Sequence, residues 1–288
     1  MKENYKKINF WHLAIFICLL IFALATHSAT SQKDGFLKVY FLDVGQGDSV
    51  FIETPNGNQV LIDGGPDNKT LAELGKIMPF YDRDIDVVLA THKESDHISG
   101  LFSVLERYDV KNIIDTKEKG DTAESKAWRV AVEKEKANEI EAIAGRFIDL
   151  GNGVELRILY PFDSFVGQKT KNPNEGSVVA VIKYKNNEFL FTGDIESGTE
   201  KKIFLSGVNL RADVIKIAHH GSKTSSIEDF LKNVEPQLAM IEVGKNNYGH
   251  PSLEVLSRLE NLGIKYYRTD TDGMIEIVSD GEKFYVAN

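Results

Sequence analysis

The sequence predicts an α/β fold made of two β-sheets covered by helices. From residue 36 to 288, short apolar or alternating runs recur as strands, and each strand-rich half passes into helices. Side chains able to do chemistry gather where strands end, the edge at which α/β proteins place their sites. Neither a clean linker nor a short internal repeat interrupts 36–288, so this stretch reads as one domain.

Residues 36–41 alternate as a strand, and 42–48 break it with two glycines. Strands at 49–53 and 59–62 flank the hairpin turn Pro55-Asn56-Gly57-Asn58, and Asp63-Gly64-Gly65 ends the return strand. A short helix over 71–78 precedes a buried strand at 86–90, an amphipathic helix over 98–108 and a strand at 111–115. The stretch 116–142 is highly charged, with sparse apolar positions at Trp128, Val130, Val132 and Ile140. Its later part reads as a solvent-facing helix within a surface insertion. Further strands are expected at 147–150, 154–160, 178–182, 188–192, 213–218, 237–243, 264–269 and 274–278. Helices are expected over 197–205, 227–233 and 252–262.

Composition is that of an ordinary globular chain, 42% hydrophobic and 27% charged. The net charge of −9 argues against a tight duplex-binding face. It leaves room for an enzyme that holds phosphates through metal ions. The N-terminus differs in kind. Lys2, Lys6 and Lys7 precede an apolar run from Phe10 to Ala25, and Ala23-Leu24-Ala25 offers a small-x-small cleavage site. Residues 1–25 therefore read as a secretory signal peptide, with an uncleaved membrane anchor as the second reading, and 26–35 as a polar linker. The expected location is extracellular, or membrane-anchored facing outside, with the membrane met only through this segment. Cys18, the single cysteine, lies inside the apolar run, so the mature chain would have no disulfide and would bind metal through nitrogen and oxygen.

The densest chemistry follows the strand at 86–90, where His92, Glu94, Asp96 and His97 fall within six residues. In extended backbone His92 and Glu94 point the same way; Asp96 and His97 follow at a turn. Three later strand ends carry Asp194, the pair His219 and His220, and His250. Of seven histidines, His12 and His27 precede residue 36 and the other five all stand at these strand ends, which a scatter of core histidines would not produce. Strand alternation would turn His219 and His220 to opposite sides, and His220, beside Gly221, is the one expected to face the site. Ser222 and Lys223 open a run of hydroxyls with an ammonium that suits phosphate; plain N-capping of the next helix is the equal alternative.

Thr-His-x-Glu-x-Asp-His at 91–97, followed by Thr192-Gly193-Asp194, His219-His220-Gly221-Ser222 and Gly249-His250-Pro251, resembles the metallo-β-lactamase superfamily. Within it, residues 41–48 and 174–194 are most similar to the hydrolase domain of the ComEC-type DNA-uptake competence proteins. The resemblance covers about residue 36 to the C-terminus. It implies an αββα sandwich, two mixed sheets flanked by helices, with a two-metal hydrolytic site between the sheets. His92 and Glu94 would hold one metal, Asp96, His97 and His250 the other, and Asp194 would bridge them. Asp63 would orient the metal loop from behind, a turn-forming Asp being the ordinary alternative. Two departures stand out: Glu94 replaces the usual second His, and Asn174, or nearby Ser177, sits where the third-motif His would be. Both enrich the first site in oxygen, which shifts preference from zinc towards manganese or magnesium. The implied cofactors are two divalent ions, Zn or Mn first and Mg after them.

Such a pair clamps the attacking and leaving oxygens of a phosphodiester. Asp96 would orient the attacking water, and His220, or else His219, would protonate the leaving group or hold a phosphoryl oxygen. The leading expectation is an extracytoplasmic metal-dependent phosphodiesterase or nuclease with DNA as its first substrate and a link to DNA uptake. The alternatives are a phosphodiesterase or phosphocholine-type esterase acting on cell-surface or small-molecule substrates, and a catalytically silent DNA-uptake or surface-binding module. No stable protein partner is inferable. Hydrolysis of β-lactams does not follow from a shared fold.

Overall fold

The structure is a computed structural model that describes residues 12–19, 35–170 and 172–287. The chain divides into two units, Met1–Asp34 and Gly35–Asn288. In the first, residues 12–19 form a helix, α1, with Leu13, Phe16 and Leu19 exposed. The expected cleavage site lies outside the described residues. Among the described residues no helix is long and apolar enough to cross a membrane.

The second unit begins β1 (Leu37–Phe41), β2 (Val50–Glu53), β3 (Gln59–Ile62), α2 (Lys69–Ile77), β4 (Asp84–Leu89), α3 (Ser95–Arg107), β5 (Asp109–Asp115), α4 (Ala123–Glu135) and β6 (Asn138–Glu141). It continues β7 (Phe147–Asp149), β8 (Val154–Tyr160), β9 (Val179–Tyr184), β10 (Asn187–Phe191), α5 (Ser197–Leu205), β11 (Val214–Lys216), α6 (Glu228–Val234), β12 (Leu238–Ile241), α7 (Leu253–Asn261), β13 (Lys265–Arg268), the short α8 (Thr269–Asp272), β14 (Ile275–Ser279) and β15 (Phe284–Ala287).

These strands form an eight-stranded sheet, β15-β14-β1-β2-β3-β4-β5-β6, and a seven-stranded sheet, β13-β12-β11-β10-β9-β8-β7. Each sheet is antiparallel at one end and parallel at the other. The parallel runs are β3 to β6 and β10 to β13. Parallel neighbours need crossovers, and helices supply them: α3 and α4 after β4 and β5, α6 and α7 after β11 and β12. Register aligns the ends, with Ile62 opposite Leu89 and Leu89 opposite Ile114. Asp63, Thr91 and Asp115 therefore emerge along one edge.

Apolar alternation puts one face of each sheet against the other. Phe41, Ile52 and Leu89 from the first sheet meet Leu156, Ile182 and Phe191 from the second in one buried core, with the Phe41 and Phe191 ring centroids 6.3 Å apart. A second core fills the space between the seven-stranded sheet and α5, α6 and α7, through Ile203, Phe230 and Leu259. A third joins the eight-stranded sheet to α2, α3 and α4, through Leu74, Leu101 and Trp128. Each such side chain contributes roughly 1.5–3 kcal/mol through burial. The architecture is the αββα sandwich, two mixed sheets flanked by helices.

Two expectations fail here. The charged stretch before β6 is not a surface insertion: Trp128 is fully buried and donates its Nε1–H to Asp115 Oδ2 at 2.9 Å, so α4 is a structural layer. Its buried face is narrow, Ser125, Trp128 and Val132, while Val130 is exposed, so composition hid it. The strand expected over 213–218 stops at Lys216, because the chain turns left-handed at His219.

Candidate metal centre

The first half delivers its ligands through one strand–loop–helix passage. After β4, Glu94 caps α3 in extended backbone, so Asp96 and His97 lie on the helix's first turn and not in the preceding loop. A negative charge there is favoured by the helix dipole. Asp63 stands behind them with φ of 58°, a left-handed conformation that an Asp tolerates only at some cost. Its carboxylate accepts from Thr91 N (2.8 Å), from Thr91 Oγ1 (2.7 Å) and from His97 Nδ1 (2.8 Å). His97 is thereby fixed with Nε2 towards Asp194 Oδ2, 3.3 Å away. His92 Nε2 lies 3.4 Å from Glu94 Oε2, the shared direction that extended spacing implies.

In the second half the main chain does the placing. Asp194 follows β10, fully buried, with its backbone N–H donating to Ser177 Oγ at 3.1 Å. His219, His220 and Gly221 have φ of 52°, 53° and 81°, three left-handed residues in succession. Strand alternation therefore does not apply, and both imidazoles turn to the same carboxylate. His220 Nε2 is 3.4 Å and His219 Nε2 4.0 Å from Asp194 Oδ2. The His220 Nδ1–H donates to the backbone carbonyl of Glu242 at 2.9 Å. A Cβ on Gly221 would come within 2.6 Å of Pro251 Cβ, so only glycine fits the turn. His250 packs at the mouth, its ring centroid 5.5 Å from that of His219 and 6.4 Å from that of His220.

Asp48, His97, Asp194 and His220 offer ligand atoms all within 4.8 Å of one another, and His92, Glu94 and Asp194 form a second such group. Asp194 belongs to both. The grouping differs from the expected one. His220 takes a place in the buried cluster, while Asp96 and His250 stand outside it. Asp96 Oδ2 nevertheless lies 3.4 Å from His220 Nε2, with its side chain 31% exposed. The left-handed turn brings His219 to the same carboxylate as well, where alternation would have turned one ring of the pair away.

Three residues of the centre were not foreseen. Asp48 lies within 3.1 Å of His220 Nδ1 and is ion-paired with Lys216. Gly47 lets its loop pass against the Asp96 carbonyl, where a Cβ would clash. Lys216, the last residue of β11 and fully buried, is also 3.5 Å from Asp194 Oδ1. Glu242, just past β12, accepts from Ser49 N at 2.8 Å. A lysine and a glutamate in otherwise apolar runs, Val214-Ile215-Lys216-Ile217 and Met240-Ile241-Glu242-Val243, were the available signal.

Burial opposes charge on all these groups, and their mutual attraction decides the outcome. His220, His97 and Lys216 overcome it at Asp194 and hold that carboxyl well below the usual range. Lys216, His220 and His97 also lower Asp48 against burial. Against burial, Asp194 and Asp48 push His220 up to about 10, and Asp194, Asp48 and Asp63 push His97 well above the ordinary imidazole value. Glu242 goes the other way: burial, then the charge of Asp48, raises it well above the carboxylate range. Burial and the neighbouring His219 and His220 lower His250 to about 4.

The donor set fits a divalent ion. His97 Nε2, His220 Nε2, Asp48 Oδ1 and Asp194 Oδ1 are buried without a hydrogen-bond partner, an expensive arrangement for converging polar atoms unless a shared cation answers them.

The remaining expected residues are placed less usefully. Ser222 Oγ is engaged locally, 3.0 Å from Thr224 Oγ1, and Lys223 is exposed. The start of α6 is not open to phosphate, because Glu200 accepts from Ser226 N (2.5 Å) and Ile227 N (2.9 Å). Neither is it capped by that run, since its N-cap is Ile227, which makes no side-chain cap hydrogen bond. Asn174 is buried on a short turn with Oδ1 unpartnered.

Two mixed sheets flanked by helices, with histidines and carboxylates converging at strand ends, define a metallo-β-lactamase fold with a candidate metal centre. Residues 42–242 match the family described as the metallo-beta-lactamase superfamily, and the chain belongs to it. It is 30% identical to ComE operon protein 3 of Bacillus subtilis, over 90% of this chain and 35% of that protein. It is 28% identical to competence protein ComA of Neisseria gonorrhoeae, over 90% of this chain and 34% of that one. The chain thus spans about a third of the length of these curated relatives. In fold it is similar to the metallo-beta-lactamase fold protein YhfI of Bacillus subtilis, with a TM-score of 0.55 at 11% identity over 84% of this chain and 99% of that one.

Proposed function

We propose that this chain is an extracytoplasmic metal-dependent phosphodiesterase whose substrate is a nucleic-acid strand. One observation carries the reading: the buried Asp194 is common to two ligand groups, Asp48/His97/Asp194/His220 and His92/Glu94/Asp194. Ions held there would supply Lewis-acid activation of a phosphoryl oxygen and of water. The second group has one nitrogen against two carboxylates, which favours manganese or magnesium over zinc.

The protein's own groups supply the rest. Asp96 borders the cluster and is partly exposed, and against burial the neighbouring His220 and His97 hold its carboxyl well below the usual range. It stays ionised and accepts a hydrogen bond from an attacking water, which orients that water. His219 is the more accessible imidazole, its side chain 22% exposed against 2% for His220. It lies between Asp194 (4.0 Å) and Glu196 (3.9 Å), so it takes the proton-donor role that alternation had given to His220. Lys216 adds a fixed positive charge beneath the two central aspartates and reduces the repulsion a phosphate meets on entry. Similarity to competence proteins supports nucleic acid as the substrate. The layout of residues 1–25 supports a site outside the cytoplasm.

The test is hydrolysis of bis(p-nitrophenyl) phosphate, single-stranded DNA and glycerophosphocholine with Mn²⁺, Zn²⁺ or Mg²⁺, beside determination of bound metal. Turnover of the first two, abolished by a chelator, is the expected result. Turnover of the choline ester alone overturns the nucleic-acid assignment, and turnover of none overturns the enzyme.

A further inference from the structure

The loop 244–251 carries an exposed aromatic ring to the mouth of the centre. Tyr248 is 77% exposed, so its ring is open to a ligand. It lies over the His250 ring, with centroids 5.7 Å apart and planes tilted by 33°. His250 in turn contacts the His219 ring at 5.5 Å, and His219 reaches Asp194. One continuous path of rings therefore leads from solvent to the carboxylate shared by both ligand groups.

The loop that presents Tyr248 is braced from within by the side chain of Asn246. Asn246 Oδ1 accepts from Tyr248 N (3.0 Å) and His250 N (3.1 Å), and Asn246 Nδ2 donates to Gly244 O and His250 O (both 2.8 Å). This clamp fixes both ends of the loop, so the Tyr248 backbone is positioned before any substrate arrives. Lys245, on the same loop, is exposed. An aromatic face beside a cation is the pairing by which proteins hold single strands, the ring taking a base and the charge the backbone.

We propose that Tyr248 is a stacking platform for the nucleobase next to the scissile phosphodiester. The inference rests on the phosphodiesterase reading above. A ring that only buttressed His250 would affect every substrate alike, whereas a platform distinguishes a strand with bases from one without.

The experiment compares a short single-stranded DNA with an abasic oligonucleotide of the same length and phosphodiester backbone. Both are assayed as kcat/KM with wild type, Tyr248→Phe and Tyr248→Ala. The platform predicts that the preference for the base-bearing strand falls about tenfold in Tyr248→Ala, the scale of one lost base stack, and persists in Tyr248→Phe, which keeps the ring face. An equal fall on both strands leaves the preference unmoved and overturns the platform while sparing the phosphodiesterase. Wild type that cleaves neither strand overturns the phosphodiesterase reading and the platform with it. A Tyr248→Ala loss confined to glycerophosphocholine would assign the ring to a quaternary ammonium and overturn the nucleobase.

Discussion

The two halves of the sandwich each turn a buried imidazole towards Asp194, by different means. His97 sits on the first turn of α3 and donates Nδ1–H to the carboxylate of Asp63. His220 sits on a left-handed turn after β11 and donates to the backbone carbonyl of Glu242. Both rings then present Nε2 to Asp194. Asp48 Oδ1 lies 3.1 Å from His220 Nδ1 as well, so both rings meet a carboxylate, but only Asp63 is its ring's shortest hydrogen-bond partner. That partner is a side chain, visible in sequence and removable by substitution, whereas the carbonyl is neither. The first half is tunable through its second layer; the second half is set by backbone shape.

The largest effect should come where the halves meet. Asp194→Asn keeps the shape but gives up the negative charge that both ligand groups share. Bound metal, measured on the purified protein, should fall from two equivalents towards none, with at least a hundredfold loss of hydrolysis. Retention of one tightly held ion would show that the halves bind independently.

A smaller effect should follow from Asp63→Asn, which touches the first half alone. Asn tolerates the left-handed backbone at this position, so the change mainly weakens the support of His97. Loss of such a partner costs about 10–100-fold in metal affinity. One ion should weaken while the ion at His92 and Glu94 is spared. Calorimetric titration of the metal-stripped protein reads both affinities, and an equal loss at both sites would erase the distinction between the halves.

The first half was more legible in sequence for the same physical reason. Ligand density after a strand and i-to-i+2 spacing are side-chain patterns, so His92, Glu94, Asp96 and His97 could be singled out from residue order, with Asp63 added by the family resemblance. The turning of both His219 and His220 towards Asp194 depends on φ values that these non-glycines do not advertise, whereas alternation had given only His220 to the site. Asp48 reaches the centre from a loop of the opposite sheet, a long-range contact that no local periodicity encodes. The αββα layers were readable because burial imposes period on strands and helices. Helix α4 shows the limit: with few apolar positions, its buried Trp128 face looked like solvent.

The smallest effect on the centre concerns what holds the second half's turn in place. Glu200 on α5 accepts from the backbone of Ser226 and Ile227, just beyond the His220 turn. Burial raises its carboxyl to about 7, although the Ile227 and Ser226 amides and the charge of Arg258 pull it down. In the unfolded chain it returns towards 4.5. Between these values the folded state binds the proton more tightly than the unfolded state does. Its contribution is therefore fully present below about pH 4.5, declines as pH rises through about 7, and is constant above. Glu200→Gln cannot titrate, and it retains one acceptor for the two amides. In chelator, the difference in urea stability between wild type and Glu200→Gln should shift against wild type by on the order of 1–3 kcal/mol across that window. Titration of His97 and His220 is common to both proteins and cancels in the difference. A difference that stays flat with pH would mean that Glu200 is ionised throughout, with the two amides and Arg258 outweighing burial.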